Sequence, residues 1–205
     1  MRLSCATWLL ILGPVAGAQT PGSAVAAALH SLTYGAGGCW DSLTIRDTII
    51  EYFPGVRFFR GYCALEHGDP TSAIVALDRD SVLYLLASQE SFDFLVDRHP
   101  PPPLDSAHAL AYARAALELS GHVSVYAHMI TDWAGLPDRA KQATQWRAHE
   151  PFLMVARNAF WQVWLFTATT CLDGMYVTRH RLDLFRSGRL LAASDTVVYN
   201  SCRGP

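Results

Sequence analysis

The densest group of chemistry-bearing side chains is Glu66-His67-Gly68-Asp69, three residues after Cys63. Carboxylate and imidazole donors suit a divalent metal. Glu66, His67 and Asp69 are therefore candidate metal ligands, although nothing at helical spacing completes their set. A thiol hydrolase is the other chemistry, with Cys63 as nucleophile and His67 as base. Such pairs are brought together by the fold and are rarely this close in sequence, and a disulfide at Cys63 would remove the nucleophile. A solvated polar turn around Gly68 and Pro70 accounts for the same residues without chemistry. The chain has no His-Glu-x-x-His, Gly-x-Ser-x-Gly, P-loop or Gly-x-Gly-x-x-Gly motif. No catalytic residue and no cofactor is assigned on sequence grounds.

A second group is cationic and aromatic. Arg179-His180-Arg181 is followed by Arg186 and Arg189 across a predicted hairpin. In a strand, Arg179 and Arg181 share one face with Asp183. That face is either a docking surface for an anionic partner or the solvated side of an antiparallel sheet. Trp161 and Trp164 fall on opposite faces of one predicted strand, so one belongs in a core and the other can serve as a binding anchor. Arg179, Arg181, Arg189 and Trp164 are the candidate binding surface.

How the cysteines are read depends on the first eighteen residues. Met1-Arg2 is a short positive start, residues 6–15 are a mostly apolar run, and Ala16-Gly17-Ala18 is a small-x-small cleavage signal. The segment reads as a secretory signal peptide cleaved after Ala18. The apolar run is shorter than the roughly 20 residues needed to span a bilayer, so no membrane span is expected in the mature chain. The expected location is secreted or periplasmic, where disulfides persist. Cys5 leaves with the leader, and Cys39, Cys63, Cys171 and Cys202 remain as two expected disulfides.

Strand geometry favours one pairing. In a three-strand meander, Cys171 and Cys202 lie at the same end of strands one and three, about 9.6 Å apart. That exceeds the roughly 7 Å Cα limit for a disulfide. Cys202 lies beyond its strand and can curl across the Asp173-Gly174 turn. Cys171–Cys202 is therefore expected, with Cys39–Cys63 by elimination.

The elements that must position these residues are mixed. A helix is expected over residues 24–32, a strand over 56–63 and a hairpin over 73–86 around Asp78-Arg79-Asp80-Ser81. Ser88 can cap a helix through Arg98. Pro100 to Pro103 stop it and impose an extended segment. Asp105 or Ser106 caps an alanine-rich helix ending at Gly121. Strands over 122–130 and 152–156 flank a short helix from Asp138. Residues 161–171, 175–185 and 189–199 form the meander. The fold expected is α+β, with helices on one face of an antiparallel meander sheet. The repeated order of helix, strands and hairpin suggests two tandem units, over residues 19–99 and 105–205, joined by a proline-rich connector at 100–104.

Half of the residues are hydrophobic and 17% are charged, which is a globular composition. The formal net charge is −2, and one unit lower without Arg2. That excludes a general nucleic-acid binder, which needs a positive excess.

The capped alanine-rich helix, Trp161-x-Val163 entering the sheet and Ser187-Gly188 before Arg189-Leu190-Leu191 together resemble the cystatin-like and PepSY-like arrangement of small exported bacterial domains. The resemblance covers residues 105–199. It implies inhibitory or accessory modules but assigns no functional residue, because fold likeness does not fix function. The leading expectation is a non-enzymatic exported binding protein for an unidentified protein or small ligand. The alternatives are an exported hydrolase or metal-dependent enzyme built on Glu66, His67 and Asp69, and a structural component of the cell envelope.

Overall fold

The computed structural model describes residues 21–34, 44–48, 50, 52–63, 71–79, 82–86, 88–121, 127–144, 152–171 and 173–202. Cys39 and the loop carrying Glu66, His67 and Asp69 lie outside them, as do residues 1–20 and His122. The fold is α+β with two antiparallel sheets.

The first sheet is a four-stranded meander of β1 (Thr44–Thr48), β2 (Arg57–Cys63), β3 (Thr71–Leu77) and β4 (Leu83–Leu86) in sequence order. Its β3 and β4 are apolar on both faces because they carry nearly continuous apolar runs rather than strict alternation. Val75, Leu77, Leu83 and Leu85 face helix α1 (Pro21–Tyr34), which contributes Val25, Ala28 and Leu29. Phe58, Ile74, Ala76, Tyr84 and Leu86 face the opposite way, into the main core.

Helices α2 (Gln89–Arg98) and α3 (Ser106–Leu119) supply the middle of that core. Ser88 caps α2, its side chain accepting the Ser91 backbone N–H. Asp105 caps α3 by accepting the Ala107 and His108 N–H groups. These bonds, led by the His108 N–H, hold the Asp105 carboxyl below the ordinary carboxylate range. Phe92, Leu95 and Val96 of α2 meet Tyr112, Ala113, Ala116 and Leu117 of α3. The same cluster continues into Trp161, Val163, Leu165, Leu182, Leu184 and Leu190 of the second sheet. One apolar core thus joins residues from both halves of the chain.

The second sheet is built from β5 (Ala127–Met129), β6 (Phe152–Ala156), β7 (Phe160–Cys171), β8 (Gly174–Phe185) and β9 (Leu190–Asn200). β5 and β6 pair end to end along one edge of β7, whose other edge carries β8 and then β9. The expectation of helices on a single face is corrected here. Helix α4 (Asp138–Thr144) and the segment before it cover part of the outer face, where Ile130, Leu136 and Ala140 pack on Phe166 and Val177. The reason lies in the alternation of β7 itself: Phe166 on the even face is as apolar as Leu165 on the odd face, and both need cover.

The segment Pro100 to Leu104 is packed rather than suspended between helices. Pro101 is buried, and Leu104 is 3% exposed. The Leu104 N–H donates to the Arg186 carbonyl at 2.8 Å, and the Trp161 indole N–H donates to the Leu104 carbonyl at 2.9 Å. At the other end of the sheet, Cys171 and Cys202 form a disulfide with Cα atoms 6.0 Å apart. There the chain end curls over the β7–β8 turn. Ser201 bonds Met175 through backbone and side chain, and lies so close to Gly174 that an added Cβ would be 2.6 Å from its hydroxyl.

Candidate functional site

Three strands of the second sheet bring an acid, an imidazole and a hydroxyl into line on its inner face. Asp195 of β9 stands directly opposite His180 of β8, and Thr167 of β7 lies one step along the next strand. Asp195 Oδ1 is 2.7 Å from His180 Nδ1, and His180 Nε2 is 2.8 Å from Thr167 Oγ1. When Nδ1–H donates to the Asp195 carboxylate and the ring is neutral, Nε2 accepts the Thr167 hydroxyl proton.

This is the order of groups that activates an alcohol nucleophile, but access decides what it does here. Thr167 and His180 are each 2% exposed. A nucleophile with no open approach cannot reach an acyl or phosphoryl centre, so the array acts as a polar tie across three strands. Removing Thr167 should expose that role. Thr167→Val keeps the shape and removes the hydroxyl bonded to His180 Nε2, an expected loss of about 1–3 kcal/mol. Asp195→Ala should cost less, because the Asp195 side chain is 37% exposed and water can replace its carboxylate. Urea denaturation checks both; a Thr167→Val loss below that of Asp195→Ala would contradict the burial argument.

A second polar cluster closes the β3–β4 turn. Asp78, 6% exposed, accepts the Val82 N–H at 2.9 Å on Oδ1 and the Tyr84 hydroxyl at 2.9 Å on Oδ2. His99 Nε2 lies 3.2 Å from both the Asp78 carboxylate and the Tyr84 oxygen. The cluster fastens the turn to the C-terminal end of α2.

The outer face of the second sheet carries the aromatic and arginine side chains. Trp164 is half-buried, with Leu153 of β6 on one side and Arg181 of β8 on the other. Arg181 donates twice to Asp183, at 3.2 and 2.8 Å, while its own side chain stays 47% exposed. Gln162 donates to the same carboxylate at 3.0 Å, and Arg157 reaches Gln162 at 3.4 Å. The Arg157–Gln162–Asp183–Arg181 chain fixes the guanidinium in orientation and offsets its charge. Trp161, by contrast, is 7% exposed on the inner face, with the Arg186 guanidinium over its ring at 5.4 Å.

The sequence-derived candidates therefore separate. Arg179, Arg181 and Trp164 share the outer face. Arg189 does not join them. It lies past the β8–β9 turn, six residues from Arg179 in strand position, which is roughly 20 Å along the sheet. Its guanidinium pairs with Asp97 of α2 at 3.4 Å. It lines a surface groove of about 470 Å³ with Gln89, Glu90, Asp93 and Phe94. The side chain of Cys63 lies outside the described residues. Among the described residues no group of three His, Cys, Asp or Glu side chains is placed to hold a metal ion.

Sequence reasoning noted His180 only as part of a basic tripeptide and missed its partners. A signal was present: the odd-numbered face of β7 runs Trp161, Val163, Leu165 and then changes to Thr167 and Thr169. Apolar side chains giving way to hydroxyls on one buried face mark a polar partner on the neighbouring strand. No protein-family model, curated protein or solved structure matches this chain.

Proposed function

We propose that the protein is an exported, disulfide-containing binding module rather than an enzyme, acting through the outer face of its second sheet. The observation that carries this reading is the placement of Trp164 beside Arg181. A half-buried indole adjoins a partly exposed guanidinium held bidentately by Asp183. Tryptophan and arginine are the side chains most often responsible for binding energy at interfaces, and prior anchoring lowers the entropy lost on contact. Because Asp183 offsets the Arg181 charge, the partner is recognised through shape, stacking and hydrogen bonds more than through net negative charge. The burial of Thr167 and His180 supports the same reading.

Export rests on the leader-like residues 1–18 and is consistent with the Cys171–Cys202 bridge. The resemblance of residues 105–199 to cystatin-like and PepSY-like domains points the same way, towards an inhibitory or accessory role.

The test uses the mature chain as bait against the exported protein fraction of its source, followed by titration of the captured partner in purified form. Trp164→Ala and Arg181→Glu should each weaken binding by ten-fold or more, with the circular dichroism spectrum unchanged. A partner that binds both variants as tightly as the parent places the interface elsewhere. Hydrolysis of ester or peptide substrates that disappears in Thr167→Ala would replace the binding reading with an enzymatic one.

A further inference from the structure

β9 is an edge strand, eleven residues long, with β8 on one side and no strand on the other among the described residues. Edge strands expose unpaired N–H and C=O groups and usually carry lysine, proline or a strong twist that blocks further pairing. The sequence of β9, Leu-Leu-Ala-Ala-Ser-Asp-Thr-Val-Val-Tyr-Asn, contains no lysine, arginine or proline. Its one charge, Asp195, is directed at His180 on the inner face. The register irregularities lie near its two ends, opposite Asp183/Leu184 and Val177/Thr178. Between them, Ala192 to Val197 run in regular register. At the N-terminal end, α2 already treats the edge as a hydrogen-bonding surface. Gln89 donates to the Leu190 carbonyl and Asp93 accepts the Leu190 N–H, both at 2.9 Å. That cover stops at Leu190. Among the described residues the two most exposed large apolar side chains are Leu191 at 46%, just before the regular stretch, and Val197 at 56%, its last residue.

We propose that the β9 edge pairs antiparallel with β9 of a second copy, about a two-fold axis through Ser194. This register sets Leu191 against Val197 of the other copy, Ala192 against Thr196 and Ala193 against Asp195. Each exposed apolar side chain gains an apolar partner, and no two aspartates oppose each other. Pairing centred on Asp195 would instead place the two carboxylates face to face. The sequence of the strand thus complements itself in one register, as a closed two-fold interface requires. An edge with small central side chains and a single charge that pairs with His180 also suits a second copy better than a charged peptide. A single strand pair is a small interface, so the dimer is reversible. The pairing runs along the backbone edge of β9; Ser194 stands opposite Arg181 on the outer face, but the proposal does not require the binding function.

Sedimentation equilibrium of the mature protein, over about 1 to 500 µM, tests the proposal. The parent should shift from monomer to dimer across that range. Ser194→Lys places two like charges across the axis and should weaken association ten-fold or more, as should Ser194→Glu. An equimolar mixture of the two variants should regain dimer, because lysine then faces glutamate. Val197→Lys, at an exposed site, should weaken association without touching the centre, and it serves if a Ser194 variant fails to fold. A parent that stays monomeric throughout, a Ser194→Lys protein that dimerises like the parent, or a mixture that does not associate would each overturn the pairing.

Discussion

Gly188→Ala should lower the melting temperature by roughly 10 °C, a loss of about 3–5 kcal/mol in a chain of this size. Three separate effects meet at that residue. Gly188 has φ +91°, a region L side chains rarely adopt. An added Cβ would overlap Pro101 Cγ and come 2.7 Å from the Tyr112 hydroxyl oxygen. The Tyr112 hydroxyl, in turn, donates to the Gly188 carbonyl at 2.9 Å. Burial, reinforced by the nearby Asp93 charge, pushes the Tyr112 hydroxyl pKa far up, so it stays a neutral donor. Neither neighbour can retreat easily. Tyr112 is fully buried, with Phe53 and Phe92 at centroid distances of 6.1 and 6.3 Å. Pro101 belongs to the segment fastened through Leu104 to Arg186 and Trp161. The substitution must therefore move the β8–β9 turn off α3 and the proline segment together. Gly135→Ala is the control: nothing lies within 4 Å of its added Cβ, and the expected change is within about 0.5 kcal/mol. Equal melting temperatures for the two variants would show that the turn does not pack on Pro101 and Tyr112 in solution.

The clamp at Gly188 shows where sequence reading stops. The helices were legible because their signals are local: Ser88 and Asp105 cap them, and the four prolines end the first. The meander was legible because period-two alternation and the Asp173-Gly174 and Ser187-Gly188 turns are local too. That Pro101 packs on the turn at Gly188 is a contact between residues 87 positions apart, and nothing in either segment announces it. Pro100 to Pro103 read alone as a stiff connector, and only the third dimension makes the segment a strut. The candidate site divides in the same way. Arg181 and Asp183 share a strand face by simple alternation, so their pairing was within reach of the sequence. The Thr167–His180–Asp195 array needs the register of three strands at once, and a slip of one residue would scatter it. Arg189 was grouped with Arg179 and Arg181 by charge alone, when its partner is Asp97 on a helix ninety-two residues earlier.

Removing the disulfide should have the second largest effect. Cys171 and Cys202 are 31 positions apart, and closing a loop of that length restricts the unfolded chain by about 3–4 kcal/mol in the chain-entropy account. Cys171→Ser with Cys202→Ser should therefore melt about 10 °C below the parent. Its native fold should be unchanged, because the β7–β8 and β8–β9 ladders and the Ser201–Met175 bonds already hold the two ends together. The two effects are separable. If the bridge acts on the unfolded chain, the parent under reducing conditions and the double variant should lose the same stability while their native circular dichroism spectra overlay that of the oxidised parent. If the bridge instead holds the chain end in place, the double variant should show fast amide exchange confined to residues 197–202. The measurement also bears on export. Protein recovered from outside the cytoplasm should titrate with no reactive thiol at either position, whereas protein made in a reducing cytoplasm should expose both and match the double variant in stability. Two free thiols on the exported protein, with a melting temperature equal to that of the double variant, would remove the bridge and the support it lends to an oxidising destination.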